Sequence, residues 1–321
     1  MKKALTALIV AFCVLLSLCV GASADESAEV YPYTFAFEEF WYEDAVALED
    51  TLPCKAALLM EADSGRVLFA QNETARLPIA SVTKIMSTLL VMEAIDSGKI
   101  RLTDMVTVGE EAAHMGGSQV YLEVGEQMPV SDMLKALVVV SANDATVAMA
   151  EHLAGSQSSF VSQMNARAAE LGMSETHFAN CHGLNEEGHY SCARDVAIMT
   201  RELLKHPLVL EYTQIWMDTI RNGAFGLANT NKLIRFYNGA NGMKTGFTDT
   251  AKYCLSGTAK RDGMQLIAVI IGADTSEIRF ASAKKLLDFG FANYAVKTPE
   301  RIELEPVTVN GGKAPQLAVT Y

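Results

Sequence analysis

Three short strings occur in one order along the chain: Ser81-Val-Thr-Lys84, Ser141-Ala-Asn143 and Lys244-Thr-Gly246. A second Ser-x-x-Lys, Ser282 to Lys285, shows how little one such string means alone. Ser-x-Asn and Lys-Thr-Gly each occur once, and the three strings together span about half of the chain. Any fold that uses them must bring these distant segments to one place. A serine hydroxyl is a weak nucleophile at neutral pH and needs a base within hydrogen-bond reach. Lysine in the first string supplies that base if its amine is neutral, so the set describes acyl transfer activated by lysine rather than histidine.

Local patterning places the strings. Val82, Ile85, Met86, Leu89 and Leu90 recur at helical spacing after Pro78, so Ser81 is predicted at a helix start with Lys84 one turn later on nearly the same face. Burial and a nearby cation both lower a lysine pKa, and Lys244 is the candidate neighbour. The start of a helix also offers a backbone N–H and a positive dipole end to a developing oxyanion. Ser141 and Asn143 fall at a helix-to-helix junction, after Met133–Val138 and before Ala145–Leu153. Ser141 could pass a proton to a leaving amine, and Asn143 could hold Lys84 or a substrate amide. Lys244, Thr245 and Gly246 head an edge-like strand: a cation and a hydroxyl to grip a carboxylate, and a glycine that lets a peptide backbone lie close.

The surrounding pattern is α+β. Ala56–Met60 and Val67–Ala70 flank Asp63-Ser64-Gly65, a hairpin turn. From about Thr103 to Leu204 the chain is predicted mostly helical, including Phe160–Leu171, which Gly172 stops; Asn180–Tyr190 follows as a polar loop. Asn241–Phe247, Tyr253–Ala259 and Leu266–Ile271 form a three-stranded meander, and Phe280–Tyr294 closes as a helix. Strands at both ends of a long helical insertion predict one sheet completed by distant segments. Beyond Pro299, the spacing of Ile302, Leu304, Val307 and Val309, with Asn310-Gly311-Gly312, predicts strands around a hairpin turn.

The chain opens with Met1-Lys2-Lys3, an apolar run Ala4–Val20 and Ala22-Ser23-Ala24. That is the grammar of a signal peptide, with cleavage expected after Ala24; a membrane anchor is the alternative, and Leu18 disfavours lipidation at Cys19. Residues 25–50 read as an acidic, aromatic leader, residues 51–298 as the catalytic domain, and 299–321 as the start of an incomplete C-terminal β domain. Loss of Lys2 and Lys3 takes the formal charge from −12 to −14, which argues against binding nucleic acid or anionic lipid through bulk charge. Of six cysteines, Cys13 and Cys19 leave with the signal. Cys181 and Cys192 flank a short polar loop, and in an exported chain a bridge between them is expected. Cys181, His182, His189 and Cys192 match no familiar zinc spacing, and no Gly-x-Ser-x-Gly elbow supports a histidine-dependent triad. Neither a metal nor a cofactor is expected.

The three strings, together with Pro78-Ile-Ala-Ser-Val-Thr-Lys-Ile-Met, Leu171-Gly-Met, Thr176-His-Phe-Ala-Asn, Asn229-Thr-Asn-Lys-Leu, Gly242-Met-Lys-Thr-Gly-Phe-Thr and Thr258-Ala-Lys-Arg-Asp-Gly, resemble the serine-type D-alanyl-D-alanine carboxypeptidases, the low-molecular-weight penicillin-binding proteins. The resemblance runs from about Thr51 to Tyr294. It implies a β-lactamase/transpeptidase-like fold: an antiparallel sheet flanked by helices, with an inserted helical subdomain and the site at their junction. It implies Ser81 as the acylated nucleophile and Lys84 as its base, with Ser141 and Asn143 completing the site. Lys244 and Thr245 would bind the terminal carboxylate, with Gly246 beside them and Arg279 assisting. The N–H groups of Ser81 and Phe247 would form the oxyanion hole.

The implied partners are peptidoglycan stem peptides ending in D-Ala-D-Ala and β-lactam antibiotics. The implied location is outside the cytoplasmic membrane, in the cell wall or periplasm. Many members carry a C-terminal β domain and an amphipathic membrane helix. This chain stops at Tyr321, so membrane association would rest on that missing anchor or on an uncleaved signal. A serine β-lactamase shares the strings, but its Glu-x-x-Leu-Asn is absent between Ser141 and Lys244; a non-catalytic β-lactam sensor is the other alternative. The chain departs from the family pattern at Cys181, where proline is usual, and at Cys192, where threonine is usual. These paired changes strengthen the expected bridge. Lys252 stands where glycine is usual, which is expected to alter the strand turn beside the site.

Overall fold

A computed structural model describes residues 48, 51–297, 307–308 and 316–317. The expected signal peptide and nearly all of the expected leader lie outside the described residues. Strands β1 (Ala56–Glu61) and β2 (Val67–Gln71) open the fold as an antiparallel pair. Their turn is held by the Glu61 carboxylate, which accepts from the N–H groups of Asp63 (3.0 Å) and Ser64 (2.8 Å). A 3₁₀ turn (Ala80–Thr83) leads directly into α1 (Lys84–Asp96). The insertion then runs β3 (Met105–Thr107), α2 (Glu110–Ala113), β4 (Gln127–Pro129), α3 (Val130–Val139), α4 (Asn143–Ala154), α5 (Gln157–Glu170), α6 (Ala193–Leu203) and α7 (Leu208–Thr213). A hairpin of β5 (Met217–Ile220) and β6 (Phe225–Ala228) and the short α8 (Leu233–Phe236) return the chain to the sheet. The meander β7 (Ala240–Thr248), β8 (Lys252–Arg261) and β9 (Met264–Ala273) is followed by α9 (Ser276–Asn293). Last come β10 (Val307–Thr308) and β11 (Gln316–Leu317), paired antiparallel where the sequence placed a hairpin.

The expected closure of one sheet by distant segments is observed. The order is β2-β1-β9-β8-β7, all antiparallel, with Ala57 opposite Ile270 joining the two ends of the chain. Alternation along β1 divides its side chains. Ala56, Leu58 and Met60 face the helical insertion, whereas Ala57 and Leu59 pack on the α9 side. Central β9 does the same with Ile267, Val269 and Ile271 against Leu266, Ala268 and Ile270. A strand buried on both faces reads as an unbroken apolar run, which is why period 2 is invisible in its sequence. Strand β7 is an edge, leaving one side of its backbone unpaired by the sheet.

Two local expectations need correction. Helix α1 is not a simple amphipathic helix: Ser87, Thr88, Val91 and Met92 are buried along with Ile85, Met86 and Leu89, so it runs through the middle of the core. The Thr103–Leu204 region also contains the β3–β4 pair, with Val106 opposite Met128, whose three-residue strands are too short to show a period.

Candidate active site

Ser81 lies in the 3₁₀ turn, three residues before the α-helix starts at Lys84, so the predicted helix start shifts by one tight turn. The shift brings the two side chains together: in 3₁₀ geometry residues i and i+3 eclipse, and Lys84 Nζ lies 3.0 Å from Ser81 Oγ. The preceding Ala80 has φ +48°, a left-handed conformation that L residues rarely adopt. Gly183 packs on this strained peptide, and a Cβ there would overlap Ala80 O.

Lys84 is fully buried. Besides Ser81, its Nζ donates to Asn143 Oδ1 (2.6 Å) and to the carbonyl of His182 (2.7 Å). Burial pushes its pKa from 10.5 down to about 7, while Cys181 and Asp144 act in the opposite sense. Of the two causes expected from the sequence, burial is the one that makes the amine available as a base; the Lys244 cation is not among the causes acting on Lys84. With two acceptors filled by its own N–H groups, a neutral amine turns its lone pair toward the Ser81 hydroxyl.

Ser141, at the α3–α4 junction, has φ +65° and is 5% exposed. Asn143 is the first residue of α4. Its Nδ2 donates to Gly116 O (2.7 Å) and its N–H to Ser118 O (2.7 Å), so its side-chain oxygen is left for Lys84. Asp144 is fully buried and accepts from the N–H groups of Val120 (3.0 Å) and Leu122 (3.1 Å). Together Asn143 and Asp144 fix loop 116–122 beside the site.

On β7, Lys244 and Thr245 are buried. Lys244 Nζ donates to Thr245 O (3.0 Å), and Thr245 Oγ1 donates to Thr230 Oγ1 (2.7 Å). Burial lowers the Lys244 pKa well below its ordinary value, with the cations of Lys84 and Arg279 adding to the effect. Gly246 lies against the nucleophile turn: a Cβ there would be 2.7 Å from Ile79 O and 3.0 Å from Ser81 N. The next residue, Phe247, is half exposed and stacks across the hairpin on Tyr253, ring centroids 4.4 Å apart. Arg279, from α9, lies behind the strand. It donates to the carbonyls of Gly246 and Cys254 at 3.3 Å each, and its Nε is the one buried side-chain N or O atom without a partner among the described residues.

The D-alanyl-D-alanine carboxypeptidase family pattern matches residues 43–275. The chain belongs to that family. It is 49% identical over 265 residues to D-alanyl-D-alanine carboxypeptidase DacF of Bacillus subtilis, covering 81% of this chain and 68% of that one. The fold superimposes on penicillin binding protein 5 from Haemophilus influenzae with a TM-score of 0.78 at 34% identity, covering 85% of this chain and 81% of the other. Penicillin-Binding Protein D2 from Listeria monocytogenes, solved in an ampicillin-bound form, gives a TM-score of 0.70 at 34% identity over 76% of this chain and 100% of that one. The α+β fold expected from the resemblance is therefore the fold of this carboxypeptidase.

The expected bridge between Cys181 and Cys192 is not present; Cys54, Cys181, Cys192 and Cys254 are all free thiols. The two loop ends are committed elsewhere. Cys181 is drawn under α1, where its carbonyl accepts from Ser87 Oγ (2.6 Å), and its thiol meets Gln157 Oε1 (3.5 Å). Cys192 is the N-cap of α6, its sulfur accepting from Asp195 N (3.4 Å). Lys252 takes φ +58°, the conformation a glycine adopts at no steric cost, and the β7–β8 turn forms with Thr248 opposite Lys252. Sequence reasoning missed the His182 carbonyl, Thr230 and Asp144. Asp144, adjoining Ser-x-Asn, and Thr230, inside Asn229-Thr-Asn-Lys-Leu, carried signals that could have found them; a backbone carbonyl carries none.

Proposed function

We propose that this carboxypeptidase removes the terminal D-alanine from peptidoglycan stem peptides through an acyl-enzyme on Ser81, and that β-lactams acylate the same serine. The observation that carries the assignment is the 3.0 Å contact between Ser81 Oγ and a Lys84 amine that burial holds near pH 7. Lys84 takes the hydroxyl proton as Oγ attacks the carbonyl carbon of the scissile peptide. The resulting oxyanion is received by the N–H groups of Ser81 and Phe247, a role supported by the close approach of Gly246 to Ser81 N. Ser141 passes a proton to the departing amine, and Asn143 keeps Lys84 aimed at Ser81. Water then hydrolyses the ester, with Lys84 again the base.

Lys244 and Thr245 select the terminal carboxylate. Burial disfavours the Lys244 ammonium; an arriving carboxylate supplies the counter-charge that makes it favourable, so recognition depends on that group. The protein acts outside the cytoplasmic membrane after export; among the described residues no helix is long and apolar enough to cross a membrane.

The test is release of D-alanine from a pentapeptide ending in D-Ala-D-Ala, measured beside penicillin hydrolysis. D-alanine release with a long-lived penicilloyl adduct on Ser81 is expected. Rapid penicillin turnover without D-alanine release would assign a β-lactamase instead, and an adduct with no peptide turnover a sensor.

A further inference from the structure

We infer that His189 is a positioning residue for Ser81 and Lys84: its imidazole ties the loop that supplies the His182 carbonyl to the turn that carries the nucleophile. The inference rests on the roles proposed above for Ser81 and Lys84. His189 belongs to none of the three strings, and the sequence offers it as a candidate metal ligand and, like every histidine of the chain, as a candidate triad member.

The imidazole is 8% exposed and has partners on both nitrogens. On one side, the N–H groups of Ala179 (3.1 Å) and Asn180 (3.4 Å) point at Nδ1. A backbone amide can only donate, so Nδ1 carries a lone pair. The proton of the neutral ring therefore sits on Nε2 and is donated to Thr83 Oγ1, 2.7 Å away. Thr83 adjoins Lys84 at the N-cap position of α1, where its side chain makes no capping bond to the helix. One ring thus bridges the 179–190 loop and the Ser81–Lys84 turn, and it does so in a single tautomer.

The same loop is otherwise stiff. Asn180 Oδ1 accepts from the N–H groups of His182 (3.3 Å) and Gly183 (2.6 Å), while its Nδ2 donates to Leu184 O (3.0 Å) and the Glu186 carboxylate (2.8 Å). The loop reaches α1 through Cys181 O on Ser87 and His182 O on Lys84. The His189 bond is the third tie, and it lies on the nucleophile side of Lys84. A shift of the loop would move the His182 carbonyl and rotate the Lys84 lone pair off Ser81 Oγ; misplacement by about 1 Å costs catalysis on the order of a hundredfold.

The bridge works only with a neutral ring, because an imidazolium would aim an N–H at two N–H groups. The surroundings favour neutrality. Burial first, and the neighbouring His177 second, push His189 down to about 4. His182, itself held low by burial, Lys84 and His189, lies on the same loop, and the Glu186 carboxylate is tied to Asn180.

The test uses the full chain and a fluorescent penicillin, separating the acylation rate constant from the preceding non-covalent affinity. His189→Phe and Thr83→Val should each lower the acylation rate by about 10- to 100-fold with affinity changed less than about threefold. Because both substitutions break the bond between Thr83 and His189, and His189→Phe also removes the Nδ1 acceptor, the double variant should be no slower than His189→Phe alone. His189→Gln, whose amide offers one acceptor and one donor, should restore the rate to within about threefold of wild type. Nitrogen NMR of histidine-labelled wild type at pH 7 should find His189 protonated at Nε2 and bare at Nδ1, a readout independent of activity and of whether the variants fold. Additive losses in the double variant, unchanged acylation in folded His189→Phe, or the opposite tautomer would each overturn the inference. A wild type that does not acylate at all would instead overturn the proposed function.

Discussion

Lys84→Met separates what the buried lysine costs the fold from what it gives the reaction. A pKa that falls from 10.5 in the unfolded chain to about 7 in the native one corresponds to on the order of 5 kcal/mol, at about 1.4 kcal/mol per unit. The sign follows from proton counts. Between pH 7 and 10.5 the unfolded chain holds a proton on Lys84 that the native chain lacks, so wild-type stability rises with pH through this window. Below pH 7 both states are protonated and the full cost is present.

Methionine has no such dependence, but it leaves Asn143 Oδ1 and His182 O as buried acceptors without their donor, at about 1–3 kcal/mol each. The two effects are of similar size, so the variant should lie within a few kcal/mol of wild type at pH 7. The gap should then move in favour of wild type by about 2 kcal/mol on going to pH 9. Burial, the larger cause of the Lys244 shift, is common to both chains; the smaller repulsion from Lys84 is lost in the variant. Urea unfolding at a series of pH values measures the gap. Acylation by a fluorescent penicillin should fall at least ~100-fold in the variant, and in the wild type it should rise with pH through about 7. Parallel stability curves, or a wild-type acylation rate that is flat from pH 5 to 8, would show that Lys84 is not a depressed, neutral base.

Three further outcomes are expected. Thr245→Val should slow D-alanine release from free-acid peptides by about ten- to a hundredfold, the equivalent of one charge-assisted hydrogen bond, and wild type should strongly prefer these peptides to the same peptides capped as amides; equal hydrolysis of acid and amide would remove Lys244 and Thr245 from carboxylate recognition. Lys252→Gly should raise the melting temperature by about 1–2 °C, because relief of the left-handed strain slightly exceeds the entropy glycine adds to the unfolded chain; calorimetry that finds a loss would contradict the strain argument. Cys181 and Cys192 should resist alkylation in the folded protein and react fully after unfolding without reductant, whereas protection that survives unfolding would restore the bridge.

Much of this was legible because its determinants are local. The hairpin at Asp63-Ser64-Gly65 announces itself by turn chemistry, and the β7–β9 meander by apolar runs between polar turns. The strings at Ser81, Ser141 and Lys244 carry their chemistry in their side chains. The rest was hidden for three reasons. Strands β3 and β4 are shorter than any period can reveal. The third ligand of Lys84 is a backbone carbonyl, a group every residue possesses and no residue type signals. The bridge between Cys181 and Cys192 failed because proximity in sequence says nothing of direction. One thiol turns to Gln157 at the start of α5 and the other turns to cap α6.

The source of the Lys84 shift points to how this site is built. The sequence suggested burial and a second cation, but of the two only the cation, Lys244, could be named as a residue. The structure supplies desolvation, which is a property of everything around the amine and of no single neighbour. The same holds for the strained peptides. Ala80 at φ +48° and Ser141 at φ +65° each cost about 1–3 kcal/mol, and they persist because their neighbours leave no room to relax. Gly183 is packed on Ala80 O, and the Ser141 junction is pinned on its far side by Asn143 and Asp144. The elements that tolerate these costs are the apolar ones, α1 in the middle of the core and β9 buried on both faces. The core's contribution to catalysis is thus to hold a lysine neutral and two peptides strained around one serine. A substitution deep in α1 or β9 that loosens packing should therefore reach the chemistry through Lys84 before it unfolds the chain.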